Sequence, residues 1–379
     1  EFIMKWIDLH CDTLSILAGE EVSEKKGGKG GLWENDLCVD IRRLHEGGAA
    51  AQFFACYVNA ADFRGGFKDD RSDAKDDRGG FKDDCNGTKD DRGGVRDDAG
   101  EGMEKSWRTG PLWDRAYRKA LTMADYASRA QGERFGLARS AEEILRMERE
   151  NRVAGVLTVE EGGVLNGRPE RLEELYARGV RLITLTWNYE NCIGSPNSRD
   201  PEIMQRGLTP FGIQTVERMN DLGMIVDVSH LSDGGFRDCV RRSKKPVIAS
   251  HSNARALCPH PRNLSDEMLH ALGEKGGVAG VNFYGAFLRP AGKPAEDDGA
   301  QVTDIVRHIR HMMDRAGEDA VALGTDFDGF ERESLPSGIR SVQDMDVLWD
   351  AMKRAGFTER QIEKTAYGNV MRILKECIS

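Results

Sequence analysis

The sequence predicts a (β/α)8 barrel, the TIM-barrel architecture of the α/β class, with extra helices at the C-terminal end. Three observations carry this expectation. Eight short, β-rich apolar runs recur along the chain, and helical patterns separate them. Strands that alternate with helices imply a parallel sheet. The runs are continuously apolar rather than alternating, which implies burial on both faces, and eight such units close into a barrel.

The runs span 5–9, 50–58, 153–159, 181–187, 224–229, 246–250, 277–284 and 320–325. Helical periodicity fills 111–130, 141–150, 170–178, 210–222, 232–242, 266–273 and 302–316. The tail, 342–355 and then 358–377, reads as helical and is expected to pack outside the barrel. The chain is therefore expected to be one domain, 1–379, with a charged insert at 63–99. Within that insert a unit of Arg-Gly-Gly-Phe-Lys-Asp-Asp at Arg64 recurs at Arg78 and returns, diverged, at Arg92. It has too few apolar residues to build a core, so it reads as a loop after the second strand. An Asp-rich cation site or a lid is the functional alternative, although EF-hand spacing is absent.

Net charge is −10, which argues against nucleic acid or an anionic membrane as the main partner. No apolar run approaches the ~18 residues of a membrane-spanning helix, and no signal peptide is visible. Eight cysteines lie scattered with no CxxC pair. That pattern reads as reduced, mostly buried thiols and a cytoplasmic location.

Chemistry is expected at the C-terminal ends of the strands, where such barrels carry their sites. His10 and Asp12 share one face of the first strand because residues i and i+2 point the same way. Glu160, His230 and His251 each follow a separate strand, and Asp326 follows the last. Histidine and carboxylate ligands suit zinc, and a cluster rich in both can hold two ions. The constellation reads as a two-metal hydrolase. His45, His260, His270, His308 and His311 fall in loops or helices and read as ordinary surface or capping residues. Trp6, Trp33, Trp107, Trp113 and Trp349 read as core or cap residues.

Several motifs in sequence resemble the membrane dipeptidase (renal dipeptidase) family of the amidohydrolase superfamily. They are Asp8-Leu9-His10-Cys11-Asp12, Val153 to Glu160, Leu182-Ile183-Thr184-Leu185-Thr186 and Asp227-Val228-Ser229-His230. Pro246 to Ser252, Arg262-Asn263, Gly280 to Tyr284, Gly324 to Gly329 and Gly368-Asn369 complete the set. The resemblance implies a binuclear zinc centre, with His10, Asp12 and Glu160 on one ion and Glu160, His230 and His251 on the other. It implies that Asp326 acts as general base and then general acid, and that Arg262 and Tyr284 contact substrate. Asp328 is expected to fix the turn that presents Asp326.

The chain departs from the family pattern in three places. Glu161 stands where the family has Gly, which makes it a rival to Glu160 as the bridge. Trp187 stands where mammalian members carry a histidine that steadies the carbonyl oxygen, so either Trp187, Asn188 or Asn191 takes over or the rate or substrate differs. The lipid-anchor tail of the mammalian proteins is missing, which points to a soluble bacterial-type member.

The expected activity is zinc-dependent hydrolysis of dipeptides, with L-Xaa-D-Xaa among the plausible substrates and a homodimer as the family's common assembly. One alternative is another amidohydrolase reaction, such as deacylation of N-acyl amino acids or lactone hydrolysis. The other is a catalytically weak peptide-binding member.

Overall fold

The computed structural model describes residues 4–18, 30–63, 108–290 and 299–378. The repeat at 64–98 and Trp107 lie outside them. Nine strands form, in chain order β1 (Trp6–Cys11), β2 (Ala49–Tyr57), β3 (Phe135–Leu137), β4 (Val153–Glu160), β5 (Val180–Thr184), β6 (Ile225–Asp227), β7 (Val247–Ala249), β8 (Val278–Val281) and β9 (Val321–Leu323). Every pairing between them is parallel. The sheet runs β2-β1-β9-β8-β7-β6-β5-β4, and β2 pairs with β4 to close an eight-stranded barrel. All eight expected strands are present.

The ninth, β3, was not expected. It pairs with the first residues of β4, along the edge that β5 takes over from Leu157 onward. At three residues it is too short to show a period between its flanking helical patterns.

Helices surround the barrel, and side-chain caps start many of them. Ser140, Thr209, Ser232 and Ser265 each accept a backbone N–H from the first turn, satisfying donors that a helix N-terminus leaves without partners.

The tail departs from expectation. Helix Asn369–Cys377 does not join the outer ring. Its Val370, Met371, Ile373 and Leu374 share one buried cluster with residues from all eight barrel strands. Its polar groups reach the starts of the later strands. Asn369 donates to Val321 O, Arg372 donates to Gly276 O and Asp319 O, and Lys245 donates to Glu376 O. The helix therefore seals the N-terminal end of the barrel, the end opposite the expected chemistry.

Close approach of strands explains two glycines. A Cβ on Gly324 would stand 1.8 Å from Ser250 O, and one on Gly280 would stand 2.1 Å from the same atom. Gly324→Ala is expected to destabilise by about 3 kcal/mol through overpacking. Thermal unfolding would read this as a lowered midpoint; an unchanged midpoint would show that β7 can yield.

The seven described cysteines are free and buried. Trp6, Trp113 and Trp349 are buried as expected, whereas Trp33 is 50% exposed. His308 corrects the surface reading given to it. It is buried, accepts the Ala254 N–H at Nδ1 and meets Leu288 O at Nε2. No helix among the described residues is long and apolar enough to cross a membrane.

Candidate metal centre

The six residues expected to form the site converge at the C-terminal end of the barrel. His10 lies on β1 and Asp12 just past it; Glu160 ends β4. His230, His251 and Asp326 follow β6, β7 and β9. Beyond the regular ladder the chain stays knit together, since Asp12 N donates to Phe327 O and Asp326 N donates to His10 O. His230, Asp326 and Asp328 hold φ of 65°, 60° and 68°, the left-handed region that non-glycine residues rarely enter. Such backbone costs about 1–3 kcal/mol each and clusters at functional sites. Here it turns the two site residues, His230 and Asp326, back over the barrel mouth.

Glu160 stands between two donor sets. Its Oε2 is 3.5 Å from His10 Nε2, while its Oε1 is 3.0 Å from His230 Nε2 and 3.3 Å from His251 Nε2. His10 Nε2 also lies 3.6 Å from Asp12 Oδ2 and 3.7 Å from Asp326 Oδ1. Three groups emerge whose ligand atoms lie within 4.8 Å of one another: His10, Asp12 and Glu160; Glu160, His230 and His251; and His10, His251 and Asp326. Glu161 does not join them, because its carboxylate turns to Gly163 N, Asn191 Nδ2 and Trp187 N.

Proton bookkeeping shows what this geometry needs. Asn188 Oδ1 is an acceptor 3.0 Å from His230 Nδ1, so the His230 proton sits on Nδ1. Ser250 Oγ donates to Asp227 Oδ2 at 2.6 Å and so accepts from His251 Nδ1 at 2.7 Å. Both histidines therefore offer lone pairs at Nε2. Those nitrogens are 3.1 Å apart and face Glu160 Oε1. Three acceptors meeting in a buried space form a place that suits a cation. On the other side, His10 Nδ1 and Nε2 and Asp12 Oδ1 are buried without a hydrogen-bond partner among the described residues. These donor types fit zinc.

The electrostatics agree. Burial first, then Asp12 and Asp326, push Glu160 up to about 8. Burial and Asp12 push Asp326 up to about 6. Burial opposes charge on His10, yet Glu160 and Asp12 raise it well above the ordinary histidine range. Burial, with Arg262 and His10 adding, holds His230 and His251 well below it. Crowded buried carboxylates of this kind are the environment that a dication relieves.

The remaining expected residues line the mouth. Arg262 is buried, and its Nη1 donates to Ser252 Oγ at 2.7 Å. Its Nε and Nη2 have no hydrogen-bond partner among the described residues. Tyr284 precedes helix Gly285–Leu288 and packs against Phe287 and Phe330. The Trp187 ring packs against Tyr57 at 5.1 Å and lies 6.2 Å from His230. Asn188 points at His230. Asp328 accepts from Thr13 Oγ1 and Cys38 N, which fixes the turn after Asp326 as expected.

Sequence reasoning missed Asn282, whose Nδ2 donates to Asp326 Oδ2 at 2.9 Å, along with Asp227 and Ser250 behind His251. It also missed Gly329, where a Cβ would meet Asp326 Oδ1 at 2.3 Å and Asp12 Oδ2 at 2.5 Å. Asp227 and Ser250 had a signal, since each sits one to three residues before a histidine at a strand end. Asn282 had none.

Comparison with known proteins places this geometry. A sequence profile of the family described as Membrane dipeptidase (Peptidase family M19) matches residues 3–378. A Klebsiella pneumoniae protein, named as an uncharacterized protein in the pqqA 5' region, is 39% identical over 248 residues, 64% of this chain and 89% of its own length. An uncharacterized dipeptidase of Schizosaccharomyces pombe is 39% identical over 210 residues, 54% of this chain; the match spans only about half, 48%, of the yeast protein. A crystal structure of a Rhodobacter sphaeroides metallopeptidase, liganded with a phosphinate mimic of the dipeptide L-Ala-D-Ala, superimposes with a TM-score of 0.75 at 27% identity. That superposition covers 99% of this chain and 100% of the other.

Proposed function

The chain belongs to the membrane dipeptidase family, peptidase family M19, and from that premise we propose that it is a zinc-dependent dipeptidase acting on short peptides with a free α-carboxylate. The observation that carries this reading is the Glu160 carboxylate, which turns one oxygen to His10 and the other to His230 and His251. His10, Asp12 and Glu160 would hold one ion, and Glu160, His230 and His251 the other. Two zinc ions, when bound, lower the pKa of a shared water and polarise the scissile carbonyl.

The protein's own groups do the rest. Asp326 takes the proton of the attacking water and delivers it to the leaving amine. Asn282, bonded to Oδ2, leaves Oδ1 turned toward the cluster. Arg262 offers a buried guanidinium edge, and its fork matches a carboxylate bidentately. Phe287, under the guanidinium, packs in turn against Tyr284. The L-Ala-D-Ala mimic bound by the Rhodobacter relative supports L-Xaa-D-Xaa dipeptides as substrates.

The deciding experiment is amino-acid release from a panel of L,L- and L,D-dipeptides by the zinc-loaded protein. Cleavage is expected, stronger for some L,D members, and a chelator should abolish it. Hydrolysis of N-acyl amino acids with no dipeptide cleaved would replace this reading with another amidohydrolase reaction. Turnover of L,L-dipeptides alone would remove the chirality proposal.

A further inference from the structure

Glu161 is fully buried without a cationic hydrogen-bond partner among the described residues, and it holds φ of 106° and ψ of 83°. A side chain there is strained whatever the space around it, and only glycine enters that region freely. The strain accompanies a clasp. Oε1 accepts from Gly163 N at 2.8 Å and Asn191 Nδ2 at 2.5 Å, and Oε2 accepts from Trp187 N at 3.3 Å. Asn191, also buried, donates to Leu185 O and accepts from Ile193 N and Gly194 N. One carboxylate at the end of β4 therefore gathers the whole loop that follows β5.

That loop ends its reach on a metal-type histidine. Asn188, next to Trp187, is exposed, yet its Oδ1 makes the hydrogen bond to His230 Nδ1. The contrast with His251 is informative. His251 is fixed from inside the barrel, through Ser250 to the buried Asp227. His230 has only the loop. Partners on the far nitrogen of a ligating histidine set its tautomer and orientation.

We propose that Glu161 is a positioning residue that, through Trp187 and Asn188, holds His230 in its ligating tautomer and so sets the affinity of the ion between Glu160, His230 and His251. This rests on the two-ion reading above. The two ions are then unequal, one held by residues on or just past barrel strands β1 and β4 and one dependent on a loop clasp.

The test is calorimetric titration of Zn2+ into the chelator-stripped full chain. The unaltered protein should bind two ions; if it binds none, the metal reading fails and this proposal falls with it. Glu161→Gly should weaken one ion by about 10- to 100-fold and leave the other unchanged. Relief of the strained backbone offsets part of the cost of the lost hydrogen bonds to Gly163, Asn191 and Trp187, so the stripped variant should still unfold in one cooperative transition. Glu161→Gln, which keeps the volume and the acceptor for Gly163 and Asn191 but turns an amide N–H toward the Trp187 N–H, should weaken the same ion. Asn188→Ala should do likewise, and the double variant with Glu161→Gly should lose no more than the larger single loss, because both act through one contact. Unchanged affinities, equal loss of both ions, or losses that add would overturn the proposal.

Discussion

Asp326→Asn is expected to lower kcat by about 10²- to 10⁴-fold, the usual worth of a positioned proton carrier, while zinc content stays at the unaltered level. The argument turns on Asn282. Its Nδ2 already donates to one Asp326 oxygen. An asparagine at 326 would satisfy that donor with its carbonyl oxygen, which leaves its NH2 facing the reaction. The NH2 cannot accept a proton from water. Because Asp326 Oδ1 stands 3.7 Å from His10 Nε2 while Glu160 and the histidines form their own groups, the donor set of both ions survives. Single-turnover rates beside elemental analysis would check this. Full activity in the variant would remove Asp326 from proton transfer; loss of zinc would make it a ligand instead.

The second large effect concerns Glu160→Gln. Four-ligand structural zinc sites bind with about 10–16 kcal/mol. Each ligand therefore carries about 3 kcal/mol, or roughly a hundredfold in affinity. A bridge serves two ions, so both should weaken by about that factor, and activity should fall with them. Removing the carboxylate also leaves His230 Nε2 and His251 Nε2, 3.1 Å apart, without the charge they share. Equilibrium dialysis against zinc reads the result. Two ions retained at full affinity would sink the bridging role.

Most of the architecture was legible because burial leaves a plain mark on composition. A barrel strand covered on both faces must be apolar throughout, and a run such as Val153 to Val159 suits a buried strand and little else. The site was legible for the opposite reason: His10, Glu160, His230 and His251 are polar residues abutting those runs. What stayed hidden depends on facts that one dimension does not carry. β3 is three residues that act as a strand only because β4 offers an open edge. The tail helix has the same apolar stripe whether it lies on the ring or across the end. Glu161 and Glu160 are identical as letters. One turns inward along the strand, and the next enters a left-handed conformation and turns to Asn191. Asn188 looked suited to substrate, and the contact of its side chain with His230 had no signal in the sequence.

The placement of the tail bears on how the chain reaches this state. Asp8 on β1 bonds Thr325 after β9, 317 residues away, and the helix that plugs the barrel floor lies further along still. Closure therefore couples the two extremes of the sequence. Contacts of such separation are slow to form because the intervening loop must first be closed. Until they form, β1 and β9 present open parallel edges and the floor exposes apolar side chains, both of which invite association between chains. A plug that lies this far along the chain from β1 gives folding a checkpoint. Truncation within 369–378 should yield chains that fold incompletely and aggregate, rather than soluble enzyme with altered catalysis.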